Sequence, residues 1–319
     1  MVRWIAALFI VAVPGWALDS VREVHSARPF AAYTAMPVMD RGYLFFITGN
    51  SPELDVYTPT GQLAFATTIQ GPDGAAPSLF ESAIDDHGTV AVAIAYKDAG
   101  RKTNGAILLL DGTGKQAGLI STGRYMPTHL CFGPDGQIWT TGWQRDAEKT
   151  EHADRQDYSI VRRFDASTKQ QTGAFVVRSS FPPGLPPGSA FGGRWMIRAA
   201  GDRVGMLLMS GQTSQRLVWL ELDSSGAETG RWTLPPTHTD GVAFSPRGLY
   251  AVTRTLNEEQ RSTVWELNQL DKTTSAWKPV AKAEYSWDQK TDRGNLLGAD
   301  GEELVLEKDL GATLEWVKP

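Results

Sequence analysis

Cysteine is nearly absent: Cys131 is the only one in 319 residues. A single thiol makes neither an intrachain disulfide nor a cysteine-based zinc site. Basic clusters are equally scarce. No run exceeds a pair, as at Arg162-Arg163, and the net charge is -5, so no basic stripe for nucleic acid exists. The five histidines, His25, His87, His129, His152 and His238, never fall three or four residues apart, which excludes the usual helical zinc signatures. Glycine-rich phosphate loops and the GxSxG nucleophile elbow are missing too. No metal and no cofactor are therefore expected. Beyond Val13 there is no long apolar run, and no amphipathic helical pattern of useful length.

What is present starts with an export signal. Arg3 precedes an apolar run from Trp4 to Val13, which is broken by Pro14-Gly15 and followed by the small residue Ala17. Ten apolar residues are too few to span a bilayer, which takes about 20. The pattern predicts a signal peptide over residues 1–17 and a single exported domain over residues 18–319. That domain is expected to be secreted or periplasmic, monomeric and without a membrane span.

The rest of the chain repeats. Two or more apolar residues, a small or acidic residue and a glycine recur as VMDRG ending at Gly42, IDDHG at Gly88, FGPDG at Gly136, FSPRG at Gly248 and LGADG at Gly301, with a degenerate RAAGD ending at Asp202. Asp-Gly and its equivalents supply the positive φ of a tight hairpin, and each copy leads into a β-rich stretch such as TVAVAIA. A second phrase follows each first, as in ILLLDGTG and WLELDSSG, making two hairpins per unit. Successive first turns lie 46, 48, 66, 46 and 53 residues apart, against roughly 40–50 residues for a four-stranded propeller blade. The expected fold is all-β: six four-stranded antiparallel blades in a β-propeller. The last blade runs out of chain after TLEWV, and Ser20 to Ala27 is expected to supply its outer strand.

FGPDGQIW and FSPRGLY resemble the repeat phrase of six-bladed propellers of the NHL, TolB-like and gluconolactonase-like groups. The resemblance covers the whole chain after the signal. It implies architecture far more than activity, because one fold hosts many functions.

Aligning the turn glycines brings Glu81, His129, Arg194, Asp240 and Arg293 to nearly one level of a channel mouth. Arginines suit carboxylate or phosphate, and His129 is the weak catalytic candidate. Trp143, at the base of the charged loop WQRDAEKTEHADRQDY, is a candidate stacking platform, and the segment from Phe181 to Gly193 a lid or linker. Cys131 and the tryptophans Trp219, Trp265 and Trp316 read as core. The gluconolactonase-like resemblance implies a divalent cation held by Glu from the first blade and Asn and Asp from later ones. Here the matching positions are Thr34 or Ala35, Asp240 and Arg254, so two oxygen ligands are lost and a cation is added. The expected function is an exported binding or scaffold propeller for a small anionic ligand, a saccharide or a protein. The alternative is a lyase or lactonase-like hydrolase acting on a small anionic or sugar-derived substrate.

Overall fold

The computed structural model describes residues 18–25, 37–47, 51–145, 157–180, 196–210, 216–236, 238–287, 293–308 and 313–319. The signal segment, Thr34 and Ala35, Arg194, most of the charged loop and the Phe181 to Gly193 segment lie outside them.

Six four-stranded antiparallel sheets form a ring. From the channel outwards, blade 1 is Val38–Asp40, Tyr43–Ile47, Glu53–Tyr57 and Leu63–Thr68. Blade 2 is Ser78–Ile84, Val90–Lys97, Thr103–Leu110 and Gln116–Gly123. Blade 3 is Tyr125–Phe132, Ile138–Gln144, Ser159–Phe164 and Gln171–Val177. Blade 4 is Met196–Ala200, Arg203–Ser210, Arg216–Asp223 and Glu228–Thr233. Blade 5 is His238–Ser245, Gly248–Asn257, Ser262–Asp271 and Ala276–Ser286. Blade 6 is Arg293–Asp300, Glu303–Lys308, Thr313–Lys318 and, from the other end of the chain, Asp19–His25. Each inner strand touches the inner strands on either side of it, and the last touches the first.

The alternation of each strand builds the junctions between blades. In blade 2, Val90, Val92 and Ile94 pack with Phe45, Leu54 and Val56 of blade 1, while Ala91 and Ala93 face Leu130, Phe132 and Ile138 of blade 3. Six such buried clusters occur, one for each junction of neighbouring blades. Trp219, Trp265 and Trp316 are wholly buried in three successive junctions, the core role their spacing implies.

The repeated aspartates have a local task. In the second turn of blade 2, Asp111 Oδ1 accepts from the backbone N–H groups of Thr113 at 2.9 Å and Lys115 at 3.1 Å; Asp223 does the same for Ser225 and Ala227 in blade 4. Such side-chain turns stand in for backbone pairing where the chain reverses. The glycine of the phrase has a second use: a Cβ on Gly114 would lie 2.5 Å from the Phe65 ring and one on Gly226 2.1 Å from the Phe175 ring. Both rings belong to the outer strand of the preceding blade, so glycine lets neighbouring blades close up.

The N-terminal strand closes blade 6 as expected. Asp19 pairs with Lys318 and His25 with Thr313, Leu18 is buried in the junction of blades 5 and 6, and Val24 lies over Gly61 of blade 1.

Candidate functional site

The inner strands that line the channel carry a few charged residues, and strand irregularities decide where those of blades 2, 3 and 5 go. Blades 2, 3 and 5 each have a register shift at the same level, between Leu79 and Glu81, Pro127 and His129, and Thr239 and Gly241. A bulge re-aims the residues beside it. Beyond the bulges of blades 2 and 3, Glu81 and His129 meet: His129 Nδ1 hydrogen-bonds Glu81 Oε2. Arg198, on the inner strand of blade 4, joins them by donating from Nη1 to Glu81 Oε1 at 2.5 Å and to its neighbour's carbonyl, Ile197 O, at 2.7 Å. One carboxylate thus links three blades.

Electrostatics follow from this geometry. Burial by itself pushes the Glu81 pKa up, but Arg198 and then His129 more than reverse it and hold the carboxyl below its usual range. An ionised Glu81 only accepts, so Nδ1 of His129 carries the proton. His129 Nε2 is buried and has no hydrogen-bond partner among the described residues. Asp40 on blade 1 completes the cluster. Burial raises its pKa, and neither Arg198 nor the Ile84 N–H donated to Oδ2 at 3.0 Å fully offsets that. Although protein surrounds it, Asp40 keeps part of its surface on a cavity. Cys131 is buried nearby, and desolvation followed by the Asp40 charge pushes its thiol well up, which suits a core residue and not a nucleophile.

The residues aligned from sequence divide accordingly. Glu81 and His129 come together. Asp240, the extra residue of the blade 5 bulge, instead sits with Oδ2 3.0 Å from Arg254 Nε, close enough for an ion pair but not aligned as a hydrogen bond. Arg194 is outside the described residues, and of Arg293 only the backbone, at the start of the inner strand of blade 6, is described. Trp143 packs against the buried cluster between blades 3 and 4. Arg198 is the functional residue that the turn alignment missed. A signal existed: in RAAGD it occupies the position that Val38, Ile84, Phe132, Phe244 and Leu297 hold in the other copies. A cation inside an apolar column needs a buried partner.

A cavity of about 190 Å³ opens at the first-turn end of the channel, opposite to the end at which the inner strands begin. Asp40, Arg41 and Arg198 line it together with Val242, Phe244 and a set of alanines and glycines. At the rim, Arg41 is ion-paired with Asp86 of the next blade.

The residues do not fit the cation centre that the gluconolactonase-like resemblance implies. Arg254 occupies the space beside Asp240, and among the described residues no three His, Cys, Asp or Glu gather as a metal would require.

No family model and no curated protein matches the chain. Among solved structures it is similar to hydrazine synthase of Kuenenia stuttgartiensis, at 12% identity and a TM-score of 0.48 over 85% of this chain and 72% of that one. It is also similar to the β-propeller domain of the Trilobed protease from Pyrococcus furiosus, at 11% and 0.44 over 72% and 62%, and to a glucose dehydrogenase, at 14% and 0.43 over 95% and 99%. Likenesses this distant say nothing about activity, and the six-bladed ring stands on its own strand topology.

Proposed function

We propose that the protein is an exported β-propeller that works by binding at the ends of its channel rather than by catalysis. The observation that carries this reading is that the candidate acid–base groups Glu81, His129 and Asp240 are each occupied by another side chain. Glu81 holds both His129 and Arg198, and Asp240 sits against Arg254. A general base must reach the proton it takes, whereas His129 Nε2 is buried. The partner is a small anionic ligand, a saccharide or a protein.

The test is a turnover screen with lactones, esters and sugar acids, with and without calcium or zinc. No saturable turnover is expected, and millimolar metal should give no chelator-reversible rise in Tm. Turnover that disappears in His129→Ala would sink the binding reading. It would establish the second reading, an acid–base enzyme for a small anionic or sugar-derived substrate, which Glu81 favours by orienting the imidazole through Nδ1. Export rests on the first 17 residues. Expressed with them, the protein should be recovered outside the cytoplasm with Leu18 as its N-terminal residue. An intact Met1 on the recovered chain would refute cleavage.

A further inference from the structure

The cavity at the first-turn end is not accounted for by the ion cluster beside it. Its walls are small by composition: Ala199, Ala200 and Gly201 from blade 4 face Ala299 and Gly301 from blade 6. Larger side chains at these places would fill it. Arg198 borders this space with a guanidinium that is only half used, since both of its hydrogen bonds are made by Nη1. Nε is buried without a partner among the described residues. The bonds to Glu81 and Ile197 fix the plane of the group, so Nη2, which makes no hydrogen bond among the described residues, is held in place before any ligand arrives.

We propose that this cavity binds a small monocarboxylate, held by Nη2 of Arg198 beside Asp40, with its short tail against Val242 and Phe244. The site rests on the binding reading above and names its ligand class. A guanidinium nitrogen held in a fixed plane is a pre-organised, charge-assisted donor to a carboxylate oxygen, which a flexible lysine would not be. Asp40 lies on the same cavity, and burial raises its pKa. The groups around Asp40 are Arg198, Arg41 in its own turn, Glu81 on blade 2 and the Cys131 thiol on blade 3.

Charge disfavours a dianion. Glu81 already neutralises Arg198 and Asp86 neutralises Arg41, so a doubly charged phosphate would meet carboxylates with no uncompensated cation to offset them. A divalent cation would meet the guanidinium. Size narrows the class further: a space of about 190 Å³ is smaller than the roughly 300–1,000 Å³ of drug-sized ligand pockets and suits a short-chain acid. The apolar wall accepts an alkyl or hydroxyalkyl tail.

Sodium butyrate and sodium lactate are the probes, titrated into the full exported chain and followed by ligand-observed NMR and calorimetry. Both should bind saturably, with butyramide and inorganic phosphate at least tenfold weaker. Ala200→Leu fills the wall without altering Arg198, Asp40 or Glu81. It should weaken butyrate at least tenfold while leaving the melting curve nearly unchanged. Arg198→Lys should do the same to binding, and if that variant does not fold, Ala200→Leu decides alone. The proposal is overturned if butyrate and lactate do not saturate, if butyramide binds as well as butyrate, or if Ala200→Leu binds like the wild type. Each of those results leaves a propeller that binds elsewhere. Conversion of lactate to a product in the same NMR tubes would instead overturn the binding reading.

Discussion

Replacing Glu81 with Gln is expected to cost about 3–5 kcal/mol, because removing one partner of a buried ion pair strands the others without compensation. For a chain of this length that is a fall of roughly 5–8 °C in Tm. Glu81 is 2% exposed, so solvent does not screen the loss, and both Arg198 and His129 depend on it. The sign of the pH effect is fixed by the direction of its pKa. A carboxyl held below its usual value gives stability that is present above the unfolded pKa and lost as pH falls through the folded one. The wild type should therefore show an acid-side loss that Glu81→Gln lacks. The double variant Glu81→Leu with Arg198→Met should recover most of the stability, since removing both charges avoids the stranded one. Equal melting of Glu81→Gln and wild type at pH 7 would mean that the cluster is not the structural centre described here.

A chain beginning at residue 26 should melt about 5 °C lower than one beginning at residue 18 and should aggregate on standing. The missing strand is mostly exposed, so its contribution comes through what it covers. Leu18 is buried and contributes about 2 kcal/mol. The Arg22 guanidinium lies 4.0 Å over the Trp316 ring and 3.0 Å from Asp300, adding about 1 kcal/mol. Together these give about 3 kcal/mol, which sets the expected shift. Aggregation has a separate cause. Without its partner, Thr313–Lys318 becomes an open edge, and an open edge is a template for pairing with another chain. If light scattering and melting are the same for both forms, closure by this strand is wrong.

The fold was legible in the sequence because the information that specifies a blade is local. Asp and Gly at a turn determine how the backbone reverses, as Asp111 and Asp223 do, and alternation such as that of Val90 to Ile94 assigns each residue to a junction without reference to anything distant. Six copies made the periodicity plain. The site was half legible for a physical reason too. Counting back from a turn glycine assumes equal turns, yet two residues separate Asp40 from Tyr43 while three separate Asp85 from Thr89. A slip of one residue moves a side chain to the opposite face of a strand. Glu81 and His129 share both turn length and bulge, so they aligned correctly with each other. Asp240 stands one column away, in its own bulge, and meets Arg254 instead. The unequal turns and the bulges are set by packing across the ring, which a single strand does not reveal.

The composite sixth blade also governs the order in which the molecule can be assembled. Blades 1 to 5 are each made from one contiguous stretch and can form as soon as that stretch is available. The sixth joins residues at opposite ends of the chain, Arg22 with Asp300 across 278 positions and His25 with Thr313 across 288. Contacts of such long range carry the largest loop-closure cost and come late in folding. A ribosome therefore releases first the strand that the finished ring seats last. Until synthesis reaches Lys318 that strand has no complete edge to dock on, and five blades must hold together as an open ring in the meantime.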